Sequence, residues 1–275
     1  MARTRRQRRL HKRNRRVALG LATALILGAG LVAAIRHDTG RKVVASAGGE
    51  GTETTSAGVV APTTTAPVPG MSYIATARVP NIDVYDTAGA STPVRSFANP
   101  WFINDDPKLP VPLVFSVRQQ QDDGWIEVLL PTRPNSSTGW VHAADVALSV
   151  TKYRIAIALG AHLLQVFDGE SVMLESTVAV GAPATPTPVG DYYVVALLKA
   201  PNPNTVYGPY AYGLSGHSEV LETFAGGDAE VGIHGNNDAS VLGKDVSHGC
   251  VRMSNDDITR LAGVLPLGTP VTISA

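Results

Sequence analysis

The feature that most constrains how this chain can fold is a long apolar run near its start. Val17–Ile35 contains no charged side chain and is followed directly by Arg36. A helix that rises about 1.5 Å per residue would span about 28 Å over this run, close to the bilayer hydrocarbon core of about 30 Å. The run therefore predicts an N-terminal transmembrane helix, residues 17–35, that acts as a signal-anchor.

The residues before the apolar run are strongly basic. Residues 1–42 hold twelve of the chain's 23 Lys and Arg residues but only one of its 23 acidic residues. Because positive charge stays on the cytoplasmic side, residues 1–16 are predicted to form a cytoplasmic arm, with everything after Ile35 on the outer face of the cell membrane. A free basic arm could bind nucleic acid, but an arm joined to a membrane helix does not favour that partner. Cleavage as a signal peptide at Ala45-Ser46-Ala47 stays an alternative.

Two regions separate the predicted anchor from the C-terminal part of the chain. Residues 36–70 are rich in Pro, Thr, Ala and Gly, a composition that predicts an extended linker. Residues 71–150 contain several short apolar runs separated by turn residues, which predicts a small β-barrel. The segments Asp123-Gly124-Trp125 and Gly139-Trp140-Val141 resemble bacterial SH3-like modules. The resemblance implies a wall-binding module, with a spacer domain as the alternative.

Residues 151–275 are predicted to form a second domain that is mainly β. Apolar β-prone runs alternate with turns, and Asp168-Gly169 marks a hairpin. Only Asn255–Val264 has helical spacing, with Ile258, Leu261 and Val264 on one face. The fold class expected after the anchor is therefore mainly β with one short helix.

The only cysteine, Cys250, is the candidate for chemistry. Exported cysteines usually pair, so a lone thiol outside the cell indicates reactivity or pairing with another chain, although a buried, inert cysteine remains possible. His248 shares the face of Cys250 if the backbone is extended. His234 can reach the sulfur if the intervening loop places strand Glu230–His234 beside strand Val246–Cys250. Either imidazole could take the thiol proton, and zinc coordination by these side chains is the rival interpretation.

Several segments in the second domain share a recognisable pattern. They are Pro186-Thr187-Pro188-Val189-Gly190-Asp191-Tyr192, Tyr207-Gly208-Pro209-Tyr210, Ile233-His234-Gly235, Ser247-His248-Gly249-Cys250-Val251-Arg252-Met253 and Pro266-Leu267-Gly268-Thr269-Pro270-Val271. Together they resemble the YkuD-type L,D-transpeptidases over roughly residues 153–275. The resemblance implies a YkuD-like β-sandwich.

The resemblance also implies roles for individual residues. Cys250 is the expected nucleophile, and His234 is expected to accept its proton while the carbonyl of Gly235 orients the imidazole. The backbone N–H groups of His248, Gly249 and Cys250 are the expected oxyanion donors, as a side-chain-free Gly249 would permit.

Three further residues complete the expected substrate site. Ser247 is expected to be a structural hydrogen-bonding residue, and Tyr207 to line the substrate groove. Arg252 is expected either to pair with a substrate carboxylate or to act as a strut to Asp256 or Asp257.

The implied reaction is acyl transfer between peptidoglycan stem peptides. A tetrapeptide stem forms a thioester with Cys250 and passes to the side-chain amine of another stem, which gives a 3-3 cross-link. No cofactor or metal is expected, and carbapenem-type β-lactams are expected inhibitors. A thiol-dependent carboxypeptidase or endopeptidase, or an anchored wall-binding protein with an inactive domain, are the alternatives. An imidazole of ordinary pKa predicts that activity falls near pH 6–7.

Overall fold

The computed structural model describes residues 64–65, 68–103 and 108–275. The predicted cytoplasmic arm, the signal-anchor at residues 17–35 and most of the linker lie outside these ranges. Among the residues that are described, no helix is long and apolar enough to cross a bilayer. The anchor and the outward location therefore stay predictions.

The first part of the described chain is an antiparallel sheet with two accessory hairpins. Its strands are β1 Thr64–Thr65, β2 Ser72–Ala77, β3 Asn81–Val84, β4 Arg95–Ala98, β5 Trp101–Phe102, β6 Pro110–Val111, β7 Val114–Gln121, β8 Trp125–Leu129, β9 Thr138–His142 and β10 Val146–Thr151. The main sheet runs in the order β10-β2-β7-β8-β9, with β1 on β7, while β3 pairs with β4 and β5 with β6. We call strands β1–β10 the upstream unit.

The upstream unit has its own apolar core. In β3 the exposed Asn81 and Asp83 alternate with the buried Ile82 and Val84, as expected for a strand with one face inward. Trp125 is buried, with its ring 4.0 Å from that of His142, so this aromatic residue belongs to the packed interior. The SH3-like architecture and the wall-binding role stay predictions.

The second part is an eight-stranded sheet with one α-helix, and we call it the second unit. Its elements are β11 Tyr153–Ala158, β12 Leu163–Asp168, β13 Ser171–Thr177, β14 Val180–Gly181, β15 Gly190–Lys199, β16 Tyr210–His217, β17 Glu230–His234, β18 Asp245–Ser247, β19 Val251–Arg252, α1 Asn255–Ala262 and β20 Pro270–Ser274. The main sheet runs β13-β12-β11-β20-β15-β16-β17-β19, and β14 pairs separately with β18. For the part of the chain that the structure describes, the predicted mainly β fold with one short α-helix is thereby confirmed.

The long strand β15 connects the two halves of this sheet. Its first residues, Gly190–Tyr193, pair with β20, and the part from Val194 onward pairs with β16, with a register shift between Val194 and Ala196. Side chains from both halves, among them Ile157, Tyr212 and Ile233, share one buried cluster. The sheet therefore closes over a single core in the manner of a sandwich.

The helix α1 begins where its sequence predicts a start. Ser254 is the N-cap, and its Oγ accepts a hydrogen bond of 3.1 Å from the N–H of Asp257. Ile258 and Leu261 are buried, whereas Val264 lies beyond the last helical residue and is 41% exposed. The predicted helix was therefore two residues too long, because Gly263 caps it.

The two units pack against each other through β15. Tyr193, Val195 and Ala196 belong to the core of the upstream unit, although they lie on a strand of the second unit. Residues on the opposite face of the same strand, Tyr192 and Val194, belong to the core of the second unit. Because β15 buries both faces, each unit fixes the position of the other.

Candidate active site

The chain reversal predicted between His234 and Cys250 is present. Strands β17 and β19 are parallel neighbours, with Ile233 opposite Val251 and His234 opposite Arg252. Cys250 lies immediately before β19, where the backbone of Gly232 hydrogen-bonds to its side chain. The loop after His234 thus returns the lone thiol to the strand that carries the imidazole.

His234 is a buried, neutral imidazole with a defined tautomer. Its side chain is almost fully buried, and Nδ1 lies 2.6 Å from the carbonyl oxygen of Gly235. A carbonyl oxygen only accepts hydrogen bonds, so Nδ1 carries the proton and Nε2 holds the free lone pair. Burial is the main reason that the pKa of His234 is lowered to about 4; the Gly235 carbonyl opposes this lowering and Arg252 adds to it.

Cys250 is a free, half-buried thiol. Burial raises the pKa of this thiol, while the Gly232 backbone and the charge of Arg252 partly oppose the rise. Both pKa shifts favour uncharged side chains, so the resting site holds a thiol and a neutral imidazole. A thiol and a neutral imidazole can act together by general-base catalysis, in which the proton moves to the imidazole as the sulfur attacks.

The strand predicted for Val246–Cys250 is not the neighbour of β17, because β18 pairs with β14 and is followed by a tight turn before Cys250. β18 ends at Ser247, and Gly249 has φ +115°, a conformation that favours glycine. A Cβ at Gly249 would have no contact closer than 3.7 Å, so glycine is required here by the backbone conformation and not by lack of space.

Ser247 holds this turn together. Its buried Oγ donates a hydrogen bond of 2.5 Å to the carbonyl of Cys250 and accepts one of 3.1 Å from the N–H of Gly249. The structural position expected for Ser247 is therefore observed. Because the Gly249 N–H is engaged, the N–H groups of His248 and Cys250 are the remaining candidates for an oxyanion site.

His248 lies on the turn before Cys250 and contacts the segment that follows β16. The prediction that it shares the face of Cys250 assumed an extended backbone, and the turn at Gly249 removes that assumption. The residue is exposed, and its ring stacks on Phe224 with 5.4 Å between centroids and 28° between planes. His234, whose imidazole is held by the Gly235 carbonyl, lies on the strand next to β19, which begins directly after Cys250.

Tyr207 and Arg252 border the same site. The rings of Tyr207 and His234 are 5.0 Å apart, and burial together with the nearby Cys250 raises the pKa of Tyr207. The Nε of Arg252 is buried without a hydrogen-bond partner in the described structure. Asp257, one of the two predicted strut partners, instead accepts a hydrogen bond of 2.7 Å from Ser176.

The structure adds residues that the sequence patterns did not single out. Asn255, the first residue of α1, accepts a hydrogen bond of 2.8 Å from the N–H of Asn236 and fills the space beside Gly235. Thr185 donates a hydrogen bond of 3.0 Å to the carbonyl of Ser247, which ties the turn before β15 to the strand before Cys250. The only local signal for Asn255 was its place after a helix N-cap.

A metal centre is the alternative use of Cys and His side chains. Within residues 68–103 and 108–275, no group of three or more His, Cys, Asp and Glu side chains is arranged to hold a metal ion.

The fold and the site together define a mainly β domain in which a free thiol lies next to the strand that carries a buried imidazole. Residues 152–273 match the model of the YkuD family, the L,D-transpeptidase catalytic domain. The YkuD protein of Bacillus licheniformis is 32% identical over 155 residues, which are 54% of this chain and 86% of that relative. The chain therefore belongs to the YkuD family of L,D-transpeptidases, and the resemblance predicted for residues 153–275 is confirmed.

Other relatives cover smaller shares or diverge further. YkuD of Bacillus subtilis is 37% identical over 122 residues, 44% of this chain and 66% of its own. A crystal structure of an L,D-transpeptidase from Mycobacterium tuberculosis aligns with a TM-score of 0.36 at 19% identity, covering 52% of this chain and 75% of the other. An L,D-transpeptidase solved in complex with imipenem aligns with a TM-score of 0.35 at 14% identity, and the alignment covers 55% of this chain and 90% of the other.

Proposed function

We propose that this protein is a membrane-anchored L,D-transpeptidase that joins peptidoglycan stem peptides through a thioester on Cys250. Membership of the YkuD family supports the reaction class. The observation that carries the chemistry is the fixed tautomer of His234, whose Nδ1 is 2.6 Å from the Gly235 carbonyl. That contact leaves Nε2 unprotonated as the base for the thiol.

The first half of the reaction forms the thioester. Sγ of Cys250 attacks the carbonyl that precedes the terminal D-amino acid of a tetrapeptide stem, and its proton passes to Nε2 of His234. The N–H groups of His248 and Cys250 stabilise the oxyanion. The tetrahedral intermediate collapses, the C–N bond breaks, and the imidazolium returns the proton to the departing amine.

The second half transfers the acyl group. The side-chain amine of another stem attacks the thioester carbonyl and gives its proton to His234. The C–S bond then breaks, the sulfur recovers the proton, and a 3-3 cross-link remains. Arg252, whose buried Nε has no partner in the described structure, supplies a positive charge for a carboxylate of the stem.

The location follows from the part of the sequence before the described residues. The basic residues 1–16 and the apolar run at 17–35 support a single-pass anchor, with both units on the outer face where peptidoglycan lies. The linker at 36–70 spaces the units from the membrane.

Two measurements on the full chain test this function. Cys250 is the only thiol, so a carbapenem should add its mass once to the wild-type protein and not to Cys250→Ala. With purified tetrapeptide muropeptides, the wild type should form 3-3 dimers, and Cys250→Ala should form none while keeping the wild-type unfolding midpoint.

Each other result selects a different function. Shortened stems without dimers, even with an amine acceptor present, would indicate a trimming hydrolase. Wild-type protein without a carbapenem adduct or product would indicate an inactive wall-binding protein. Cross-links made by Cys250→Ala would refute the nucleophile.

A further inference from the structure

The segment Ser218–Asp228, which we call the strap, connects β16 to β17 beside the candidate active site. It has little regular structure, with Phe224 and Gly227 exchanging backbone hydrogen bonds of 3.0 and 3.1 Å at its tip. Most of its side chains are exposed, including Val220 at 54%. A segment that buries so little apolar surface has little stability of its own.

The strap reaches the turn that carries the thiol. The ring of Phe224 stacks on that of His248, two residues before Cys250. Phe224 is still 38% exposed, so one part of this ring covers the turn while another part faces solvent. The two rings therefore lie together beside the turn that precedes Cys250.

The upstream unit fastens the strap. Arg133, on the loop between β8 and β9, donates hydrogen bonds to three strap carbonyls: Ser218 at 2.5 Å, Leu221 at 3.1 Å and Asp228 at 3.1 Å. Its Nε also lies 3.6 Å from the Asp228 carboxylate. A single planar guanidinium thus ties both ends of the strap together, and hydrogen bonds from a charged donor are the stronger kind.

A second residue of the same loop fixes the point where the strap begins. Asn135 donates from Nδ2 to the carbonyl of His217 at 2.8 Å, and its Oδ1 accepts from the N–H of His217 at 2.8 Å. His217 is buried at the end of β16. The loop between β8 and β9 therefore contacts the strap at both of its ends, next to β16 and next to β17.

We propose that the upstream unit is a positioning element for catalysis, with Arg133 and Asn135 as the positioning residues that hold Phe224 against His248. The held strap forms one wall of the groove for the donor stem peptide. This inference rests on the proposed transpeptidase function. Since neither residue contacts the reacting atoms, their loss weakens binding of the donor and leaves the chemical steps intact.

The test compares Arg133→Ala with Arg118→Ala in the full chain. Arg118 also bridges the two units, but its partner in a 3.0 Å ion pair is Asp191 of β15 and not a residue of the strap. For Arg133→Ala we expect the KM for a tetrapeptide muropeptide donor to rise about tenfold, with kcat within about twofold of wild type. For Arg118→Ala we expect both constants to stay within about twofold.

Amide hydrogen exchange measures directly whether the strap is held in place. Amides of residues 219–228 should exchange at least about tenfold faster in Arg133→Ala, while the amides of β11 and β12 keep their wild-type rates. Phe224→Ala provides a second variant that leaves Arg133 in place. It removes a partly exposed side chain and should raise KM to a similar extent without altering unfolding.

The outcomes separate this inference from the proposed function. A wild-type chain without turnover or carbapenem adduct refutes the function itself. An active wild type with an unchanged KM in Arg133→Ala and Phe224→Ala refutes the positioning role alone. A loss of kcat at constant KM, or an equal effect from Arg118→Ala, also refutes it. If Arg133→Ala does not fold, the KM of Phe224→Ala tests the positioning role: a raised KM supports it and a wild-type KM refutes it.

Discussion

The burial of His234 predicts the pH range in which the proposed thiol–imidazole site works. The imidazole must be neutral to accept the thiol proton, so activity is lost as pH falls through its pKa. That pKa is lowered from 6.5 to about 4, chiefly by burial. The lowering corresponds to about 3 kcal/mol of preference for the neutral form in the fold. The acid limb of activity is therefore expected near pH 4, and not near pH 6–7 as an imidazole of ordinary pKa would give.

The rate of Cys250 acylation by a carbapenem, followed by mass spectrometry, measures this limb directly. The rate should stay within about twofold between pH 7 and pH 5 and fall about tenfold for each pH unit well below 4. Fluorescence of the tryptophans at each pH checks that the protein remains folded. A half-maximal rate at pH 6–7 would show that His234 is solvated or is not the base, and the reasoning from burial would fail.

The same pKa shift predicts how stability depends on pH. Below pH 6.5 the unfolded chain protonates this histidine while the folded chain does not, so folding becomes less favourable as pH falls toward 4. The penalty reaches up to about 3 kcal/mol near pH 4. In His234→Gln this part of the slope should be missing from urea unfolding measured between pH 7 and pH 4. An identical slope in both proteins would contradict the assignment.

Two substitutions test the supports of the site. Ser247→Ala leaves the Gly249 N–H and the Cys250 carbonyl without their buried partner. It should therefore lower the free energy of unfolding by about 1–3 kcal/mol and slow acylation of Cys250. Wild-type values for both quantities would refute the role of the Ser247 hydroxyl. Gly235→Ala introduces a Cβ that overlaps the Asn255 side chain. It should therefore lower the melting temperature and the rate of Cys250 acylation. A variant that is as active and as stable as the wild type would contradict the tight packing at Gly235.

Parts of the fold and site were predictable because they depend on local sequence. Helical spacing located α1, since the buried Ile258 and Leu261 lie within one turn of each other. The segments around His234 and Cys250 identified the family from residue identity alone. The same segments also predicted that the loop between His234 and Cys250 brings the thiol back to the strand that carries His234.

Other properties depend on contacts between distant parts of the chain, and only the tertiary structure decided them. Gly249 adopts a turn conformation where the sequence predicted a strand, and burial in the folded chain lowered the pKa of His234. Arg133 meets the strap across 85 or more residues of sequence, a distance at which no periodicity carries information. The sequence by itself determined which reactive groups the protein has. Tertiary packing decided the pKa values of His234 and Cys250 and the contacts of the strap with Arg133, because desolvation and long-range hydrogen bonds exist only once the chain is folded.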